Sequence, residues 1–324
     1  LEERGGVPVL GVVPYLRDLD IPEEDAVALE QSFPPVRPLD APDQGQGKGV
    51  DVVVIRLPRI ANFDDFDPLA REPGVQVRYV ASPDKLGRPH AIIVPGTKST
   101  TADLSWLRSQ GLAGAIQGLA SEGTAVVGIC GGYQMLGREI CAPYDVESGG
   151  KKFGVGFLNV ATELTAGKTT VQVEAQPTDC KTGTDEIVRG YEIHMGRTDR
   201  GQVAPRFRIL RRLGRGTAGM DIDCDDNTDG AISADGRVWG TYIHGIFDQP
   251  GFRRHWLNQL RWRKGLHPLP VSVSDNANRK LAAAMDRWAD HLERHLDLAP
   301  IFDAVNFPHS QRNTSNQVVT KSQS

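Results

Sequence analysis

In the first half of the chain the apolar residues come in short unbroken runs: VDVVVIRL at 50–57, VQVRYV at 75–80, HAIIVP at 90–95 and TAVVGIC at 124–130. Continuous rather than alternating runs of this length predict strands covered on both faces. Between the third and fourth runs, Leu104, Leu107, Leu112, Ile116 and Leu119 recur at roughly helical spacing, with a break at Gly111. Strands alternating with helices predict an α/β fold on a mostly parallel sheet with flanking helices.

Beyond residue 150 the pattern becomes strand-rich, in FGVGFLNVAT, TTVQVEA, VRGYEIH and GAISADGRVWGTYIHG. The Asp235-Gly236 pair in the last of these is a hairpin signal. This half is expected to extend or flank the sheet. Near the C-terminus, Leu281, Met285, Trp288, Leu292 and Leu296 share one face of an amphipathic helix, with Ser274 or Asp275 as its cap. The earliest apolar run, VPVLGVVPYL at 7–16, reads as a buried strand with nothing before it to pair with, which predicts a chain that begins inside a larger protein. From Asp18 to Gly49 the residues are acidic, then rich in Pro, Gln and Gly, the composition of a linker. The closing SQRNTSNQVVTKSQS is polar and predicts disorder. The expected organisation is 1–48 as the end of one domain plus linker, 49–262 as the α/β domain, and 263–324 as a helix and tail.

Composition narrows the chemistry. At 324 residues, 39% hydrophobic and 24% charged, the chain is long enough for one or two buried cores. A formal net charge of -4 with interspersed signs gives no footprint for nucleic acid and no polybasic membrane patch. No apolar run approaches the roughly 18 residues of a membrane span, and LEERGG lacks the core of a signal peptide, so a cytoplasmic setting is expected. Cys130, Cys141, Cys180 and Cys224 form no CxxC pair and have no histidine doublet at zinc spacing, so no metal site is expected. Unpaired cysteines fit a reducing compartment, where one exposed thiol can serve as a nucleophile.

Cys130 is that thiol. The run VVGICGGYQMLG carries a strand into a helix through Gly128, Cys130 and Gly132, the layout of a nucleophile elbow whose sharp turn needs flanking residues without bulk. A helix N-terminus favours thiolate over thiol and leaves the Gly131 amide free to bond an oxyanion. The plainer reading of the same turn is a buried cysteine in a phosphate-binding βα loop. A nucleophilic cysteine needs a base, and GTYIHGIF offers His244 at a strand end beside a glycine, with His194 in GYEIHMGRT as the other candidate. His255, His291 and His295 sit in helical text and read as solvated surface, while His90, His267 and His309 lie beside prolines.

GICGGYQMLG followed by YIHG resembles class I glutamine amidotransferase domains, in which a cysteine attacks the side-chain amide of glutamine and ammonia is released. More narrowly, RLPRIANFDDFDPL, VPGTKSTTADLSWL, GICGGYQMLG, GYEIHMGRT and GTYIHGIFD, in this order, are similar to the glutaminase half of the cobyric acid synthase family, the corrin-amidating enzymes of cobalamin synthesis. The similarity runs from residue 1 to about 298. It implies a flavodoxin-like sheet, Cys130 as nucleophile and His244 as its general base and acid. Gly131 and Gly96, the latter in the PGT loop, would supply oxyanion N–H groups. Gln134 would hold the substrate glutamine, and Tyr191 to Gly196, His194 included, would line the same pocket. It further implies a corrinoid acceptor and a synthetase domain or subunit as partner. ATP and Mg would belong to that synthetase domain, with no cofactor in this chain, and 1–48 would be the synthetase domain's last segment plus linker.

Two departures from the family pattern matter. Many class I glutaminases carry a glutamate two residues after the histidine, where this chain has Ile246, so an orienting carboxylate either comes from elsewhere, with Asp248 and Glu192 as candidates, or is absent. The chain also lacks G-x-x-x-x-G-K-[ST]: PGTKST has the wrong Gly-to-Lys interval, and Lys98 belongs to the loop beside the thiol. The alternatives are a related amidotransferase acting on cobyrinic acid a,c-diamide or a peptidoglycan precursor, a non-catalytic binding module, or a cysteine peptidase with the same dyad. Intact Cys130 and His244 speak against the module, and Gln134 and the loops against the peptidase.

Overall fold

The computed structural model describes residues 2–16, 49–143, 146–147, 149–179, 187–213, 227–270 and 277–305. Of the expected linker only Gly49 is described; Cys180, Cys224, the caps Ser274 and Asp275, and the polar tail lie outside the described residues. The chain falls into two compact units, Pro22–Ala277 and Leu1–Ile21 with Asn278–Ser324.

The larger unit opens with four strands, β1 (Val50–Ile55), β2 (Val75–Val80), β3 (Ala91–Val94) and β4 (Ala125–Ile129). All four form strands, and β1, β3 and β4 are buried almost throughout, but β2 lies at the sheet edge with only Arg78 and Val80 buried, so the expectation of cover on both faces fails there. Helices α1 (Thr100–Ser109) and α2 (Leu112–Ser121) join β3 to β4. They bury Leu104, Leu107, Leu112 and Ile116, and Gly111 separates them at φ 74°, a left-handed conformation that glycine adopts without strain. After β4 comes the short α3 (Gly131–Leu136), then β5 (Glu139–Ala142), β6 (Gly150–Phe153), β7 (Ala161–Pro177), β8 (Val188–Asp199), β9 (Phe207–Leu213), β10 (Thr228–Asp229), β11 (Ala231–Ile232), β12 (Val238–Thr241) and β13 (Ile243–His244). Helix α4 (Pro250–Arg263) closes the unit.

These strands form two sheets. The first has six strands in the order β11-β12-β4-β3-β1-β2, parallel except for β11, which pairs antiparallel with β12 across the Asp235-Gly236 turn. The second follows β10-β9-β7-β5-β6, with β8 on the other side of β7, and is antiparallel apart from the β5–β7 pair. The strand-rich half thus both extends the first sheet and builds a flanking one.

FGVGFLNVAT is not one strand. After β6 ends at Phe153, the backbone N–H groups of Gly154, Val155, Gly156, Phe157 and Leu158 bond the carbonyls of Met135, Leu136, Gly137 and Arg138. Those carbonyls lie at the end of α3, where a helix leaves its last acceptors unpaired, so the apolar segment wraps the helix end instead of joining a ladder.

In the smaller unit, α5 (Ala277–His295) is the expected terminal helix, followed by α6 (Ala299–Ala304). Among the α5 residues whose burial is described, Ala284 is buried, whereas Met285 is half exposed. The expected strand at 7–16 is absent: Val7, Val9, Val12 and Tyr15 are exposed, and pairing is limited to an isolated bridge from Gly11 to Leu296. Pro8 and Pro14 remove two ladder donors from this run, which explains why its β-branched content does not make a strand. Among the described residues no helix is long and apolar enough to cross a membrane.

Candidate active site

Cys130 stands where β4 turns into α3, with φ 51° and ψ −111°. This conformation is strained for a non-glycine residue. The turn is held by Cys130 N bonding Thr241 O at 2.8 Å and by Gln134 N bonding Cys130 O at 3.1 Å. Gly132 makes it sterically possible, since a Cβ there would lie 1.8 Å from Val94 O. The thiol is buried and directs Sγ at Ile193 O, 3.4 Å away.

His244 arrives from the other sheet. The chain leaves β12, which is parallel to β4, and after one residue joins β13, where His244 lies opposite Tyr191 of β8. Strand ends of both sheets therefore meet at one crevice. The imidazole is buried at 1% exposure, stacks on the Tyr191 ring at 5.2 Å, and places Cε1 3.2 Å from the point a Cβ on Gly96 would occupy. That same point is 3.9 Å from Cys130 Cβ, so a side chain at Gly96 would crowd both residues. Gly131 follows Cys130 as the first residue of α3 and packs on Thr97 of the PGT loop and on Thr100 at the start of α1.

The carboxylate that orients His244 is Asp65, neither of the two expected from sequence. Its Oδ2 lies 2.7 Å from His244 Nδ1, and its Oδ1 accepts the Gly245 amide at 2.8 Å. Asp65 sits on a helical turn, Phe63–Phe66, that follows β1 and is entered through Asn62 in the left-handed region. Glu192 instead contacts Arg212 at 3.4 Å and His194 at 3.7 Å, and among the described residues no hydrogen bond joins Asp248 to the His244 ring. The signal for Asp65 was present in FDDFD, which follows a parallel strand and so belongs to the crevice edge, but its reach of 179 positions to His244 has no sequence mark.

Burial opposes a charge on His244, yet the Asp65 carboxylate, its hydrogen bond and the Cys130 thiol prevail and push the imidazole pKa up to about 10. Nε2 makes no hydrogen bond of regular geometry among the described residues, although the thiol is close enough to act on the ring. Such pairs commonly tighten only when substrate is bound. Two more carboxyls share the neighbourhood. Burial and then Asp65 raise Asp64 to about 6, and burial followed by Asp65 and Asp64 raises Asp248 to about 6.

The other sequence candidates occupy distinct places. Tyr191 accepts a 2.7 Å bond from Asn62 Nδ2 and covers one face of His244. Gln134, expected to hold the substrate, is buried with its amide committed to the protein: Oε1 accepts from Thr100 Oγ1 at 2.9 Å, and Nε2 donates to Met195 O at 3.0 Å and Tyr242 Oη at 3.2 Å. His194 stacks on Tyr242 at 3.8 Å, with Nδ1 3.2 Å from Gly196 O. Gly196 packs on Glu163 and Leu164 of β7 rather than on the thiol. Sequence reasoning also missed Glu147, whose carboxylate accepts from Thr100 N at 2.9 Å, Thr101 N at 2.7 Å and Thr101 Oγ1 at 2.6 Å, closing the start of α1. Of the remaining histidines, His90 Nδ1 accepts the Asp51 amide at 3.1 Å, and His255 is half-buried against Gln259 rather than solvated. Among the described residues no group of three or more His, Cys, Asp or Glu could hold a metal ion.

Residues 51–252 match the model of the CobB/CobQ-like glutamine amidotransferase domain. A protein named cobyric acid synthase from Chloroflexus aurantiacus is 48% identical over 90% of this chain and 54% of its own length. One of the same name from Roseiflexus castenholzii is 47% identical over 89% of this chain and 56% of its own. The chain spans about half the length of the curated relatives it matches. Among solved structures, PurLQS from Thermotoga maritima aligns at 17% identity and a TM-score of 0.46, covering 74% of this chain and 99% of that one.

Proposed function

The chain belongs to the CobB/CobQ-like glutamine amidotransferase family, and from that premise we propose that its crevice hydrolyses glutamine through a thioester on Cys130 and delivers the ammonia to an amidation reaction. The observation that carries the reading is one juxtaposition: a thiol at a strained strand-to-helix turn faces an imidazole whose far nitrogen is held by Asp65 at 2.7 Å. Nucleophile, base and orienting carboxylate come from three separated stretches of sequence, and their convergence has no structural purpose that a simple apolar packing would not serve better.

The chemistry follows from the geometry. Sγ of Cys130, as the thiolate beside the protonated His244 ring, attacks the side-chain amide carbon of glutamine, and the oxyanion so formed is met by the Gly131 and Gly96 amides. An imidazole with its pKa pushed to about 10 carries a proton at neutral pH, and it gives that proton to the departing nitrogen. Ammonia leaves and a γ-glutamyl thioester remains. A water molecule then loses its proton to the now neutral His244 and attacks the thioester carbon, which expels the sulfur as thiolate, releases glutamate and leaves His244 protonated as at the start. Asp65 keeps the Nδ1 proton in place so that Nε2 does the transfers. Tyr191 and His194 line the approach, while Gln134 fixes the wall between α3, Met195 and Tyr242.

The acceptor is read from the relatives named cobyric acid synthase. Ammonia would pass to a carboxylate of adenosylcobyrinic acid a,c-diamide activated by ATP, in the cytoplasm, on a synthetase region of which residues 1–48 are the last segment. ATP and Mg would bind in that region, outside the described residues.

The test is release of glutamate and ammonia from L-glutamine, with acid quench and mass spectrometry of the Cys130 peptide. Wild type should turn over and show a γ-glutamyl adduct on Cys130; Cys130→Ala should do neither. Equal glutamate release by a folded Cys130→Ala would overturn the reading.

A further inference from the structure

The nucleophile and its base are borne on different sheets, and a single short stretch of chain joins them. Thr241 is the last residue of β12 and lies opposite Ile129 of β4, with its carbonyl taken by the amide of Cys130 at 2.8 Å. Three residues later, His244 is already paired with Tyr191 in the second sheet. Between them the chain crosses from one sheet to the other, and a crossing breaks the ladder that would ordinarily satisfy its amides.

Two buried side chains do that work instead. The Tyr242 amide donates to both oxygens of Asp229, at 3.2 and 3.3 Å. The Ile243 amide donates to Thr241 Oγ1 at 3.1 Å, and that hydroxyl in turn donates to Asp229 Oδ2. Asp229 is brought there by β10, whose pairing with β9 is independent of either catalytic residue. Gly230, at φ 67°, lets the strand pass against Gly240, where a Cβ would meet Gly240 O at 2.1 Å.

We propose that Asp229 and Thr241 are a positioning pair: together they fix the path of the chain between the sheets and so set where His244 stands relative to Cys130. The proposal deepens the glutaminase reading and rests on it for the reaction assayed. Neither residue touches the thiol or the imidazole, so both act through the backbone. The position is expensive to maintain, because burial first and the neighbouring Glu192 second disfavour a charge on Asp229. The net effect raises its pKa to about 7, and the two donors it accepts, Thr241 Oγ1 and the Tyr242 amide, oppose that rise.

Thr241→Val keeps the shape and removes the hydroxyl, Thr241→Ser restores it, and Asp229→Asn replaces one acceptor oxygen with a donor. Thr241→Val and Asp229→Asn should lower kcat for glutamine hydrolysis about 10²-fold, the usual effect of displacing a reacting group by about 1 Å, with KM for glutamine changed less than about threefold. Alkylation of Cys130 by iodoacetamide at pH 6, relative to pH 9, should fall in both as the sulfur loses its charged neighbour, and Thr241→Ser should restore kcat and alkylation to near wild type. Unchanged kcat and alkylation in folded Thr241→Val would overturn the proposal. So would a loss of kcat matched by the unfolded fraction with the alkylation ratio intact. If wild type releases no glutamate, the glutaminase reading fails, while the alkylation ratios still decide whether the pair positions His244.

Discussion

Asp65 is the residue on which the site turns, and its isosteric amide isolates what the charge contributes. The substitution Asp65→Asn would retain an oxygen for the Gly245 amide and lose the negative charge that holds the Nδ1 proton of His244 and raises its pKa. It is therefore expected to lower kcat for glutamine hydrolysis by about 10²-fold or more, on the usual scale of general acid–base catalysis, with little change in KM. The imidazole should also titrate well below about 10, which NMR of the His244 ring reads directly; an unaltered titration would assign the raised pKa to another group. The same residue shows where sequence reading stops. Cys130 and His244 announce themselves locally, through glycines that make room for an elbow and a strand end. Asp65 is one of three aspartates close together in FDDFD, and only the folded chain distinguishes the one that faces the ring.

At the scale of elements, the residues of the candidate site hang on turns that are clamped from behind. Glu72, two residues beyond the helical turn Asp67–Ala70, accepts Arg253 Nε at 2.7 Å and also pairs with Arg254 Nε. Arg253 reaches on to Phe247 O at 2.6 Å, in the turn that follows His244. One buried cluster thus joins the loop bearing Asp65, the turn after His244 and the start of α4. Glu72→Ala would leave two guanidinium groups buried without their carboxylate, a loss expected to cost about 3–5 kcal/mol, seen as a lower midpoint in urea unfolding. A shift under about 1 kcal/mol would mean that the backbone carbonyls of 247, 248 and 270 suffice for the arginines. Strands β1, β3 and β4 were legible because a strand covered on both faces is a nearly uninterrupted apolar run, and the edge strand β2 through its alternate apolar residues. The second sheet was legible as strands but not as a separate sheet, since its alternating exposure is compatible with either side of a β–β junction. The 7–16 run failed for a related reason: apolar content marks a candidate strand, but the ladder needs donors that Pro8 and Pro14 do not have.

For the molecule as a whole, the site's electrostatics couple to folding, and the sign can be worked out. His244 has a folded pKa of about 10 against an ordinary 6.5, so the folded chain binds its proton more tightly than the unfolded chain does. That contribution is complete below about pH 6.5 and is lost as pH rises through about 10. Asp64 and Asp248, raised by burial to about 6 from 3.8, act in the same sense one step lower. Their contribution is present below about 3.8 and is gone once pH passes about 6. The two windows do not overlap, so stability between pH 7 and pH 10 isolates the histidine from these two carboxyls. Unfolding free energy from urea titrations should decline across that interval in the wild type, and His244→Gln, which has no proton to lose, should decline less steeply. Lysines and tyrosines away from the ring behave alike in both proteins and cancel in the comparison of slopes, and because Cys130 acts on the His244 ring the comparison is made with Cys130→Ala in both. Parallel slopes would show that Asp65 does not hold a charged imidazole at neutral pH, and the proton that leaves with ammonia would then have to be sought elsewhere.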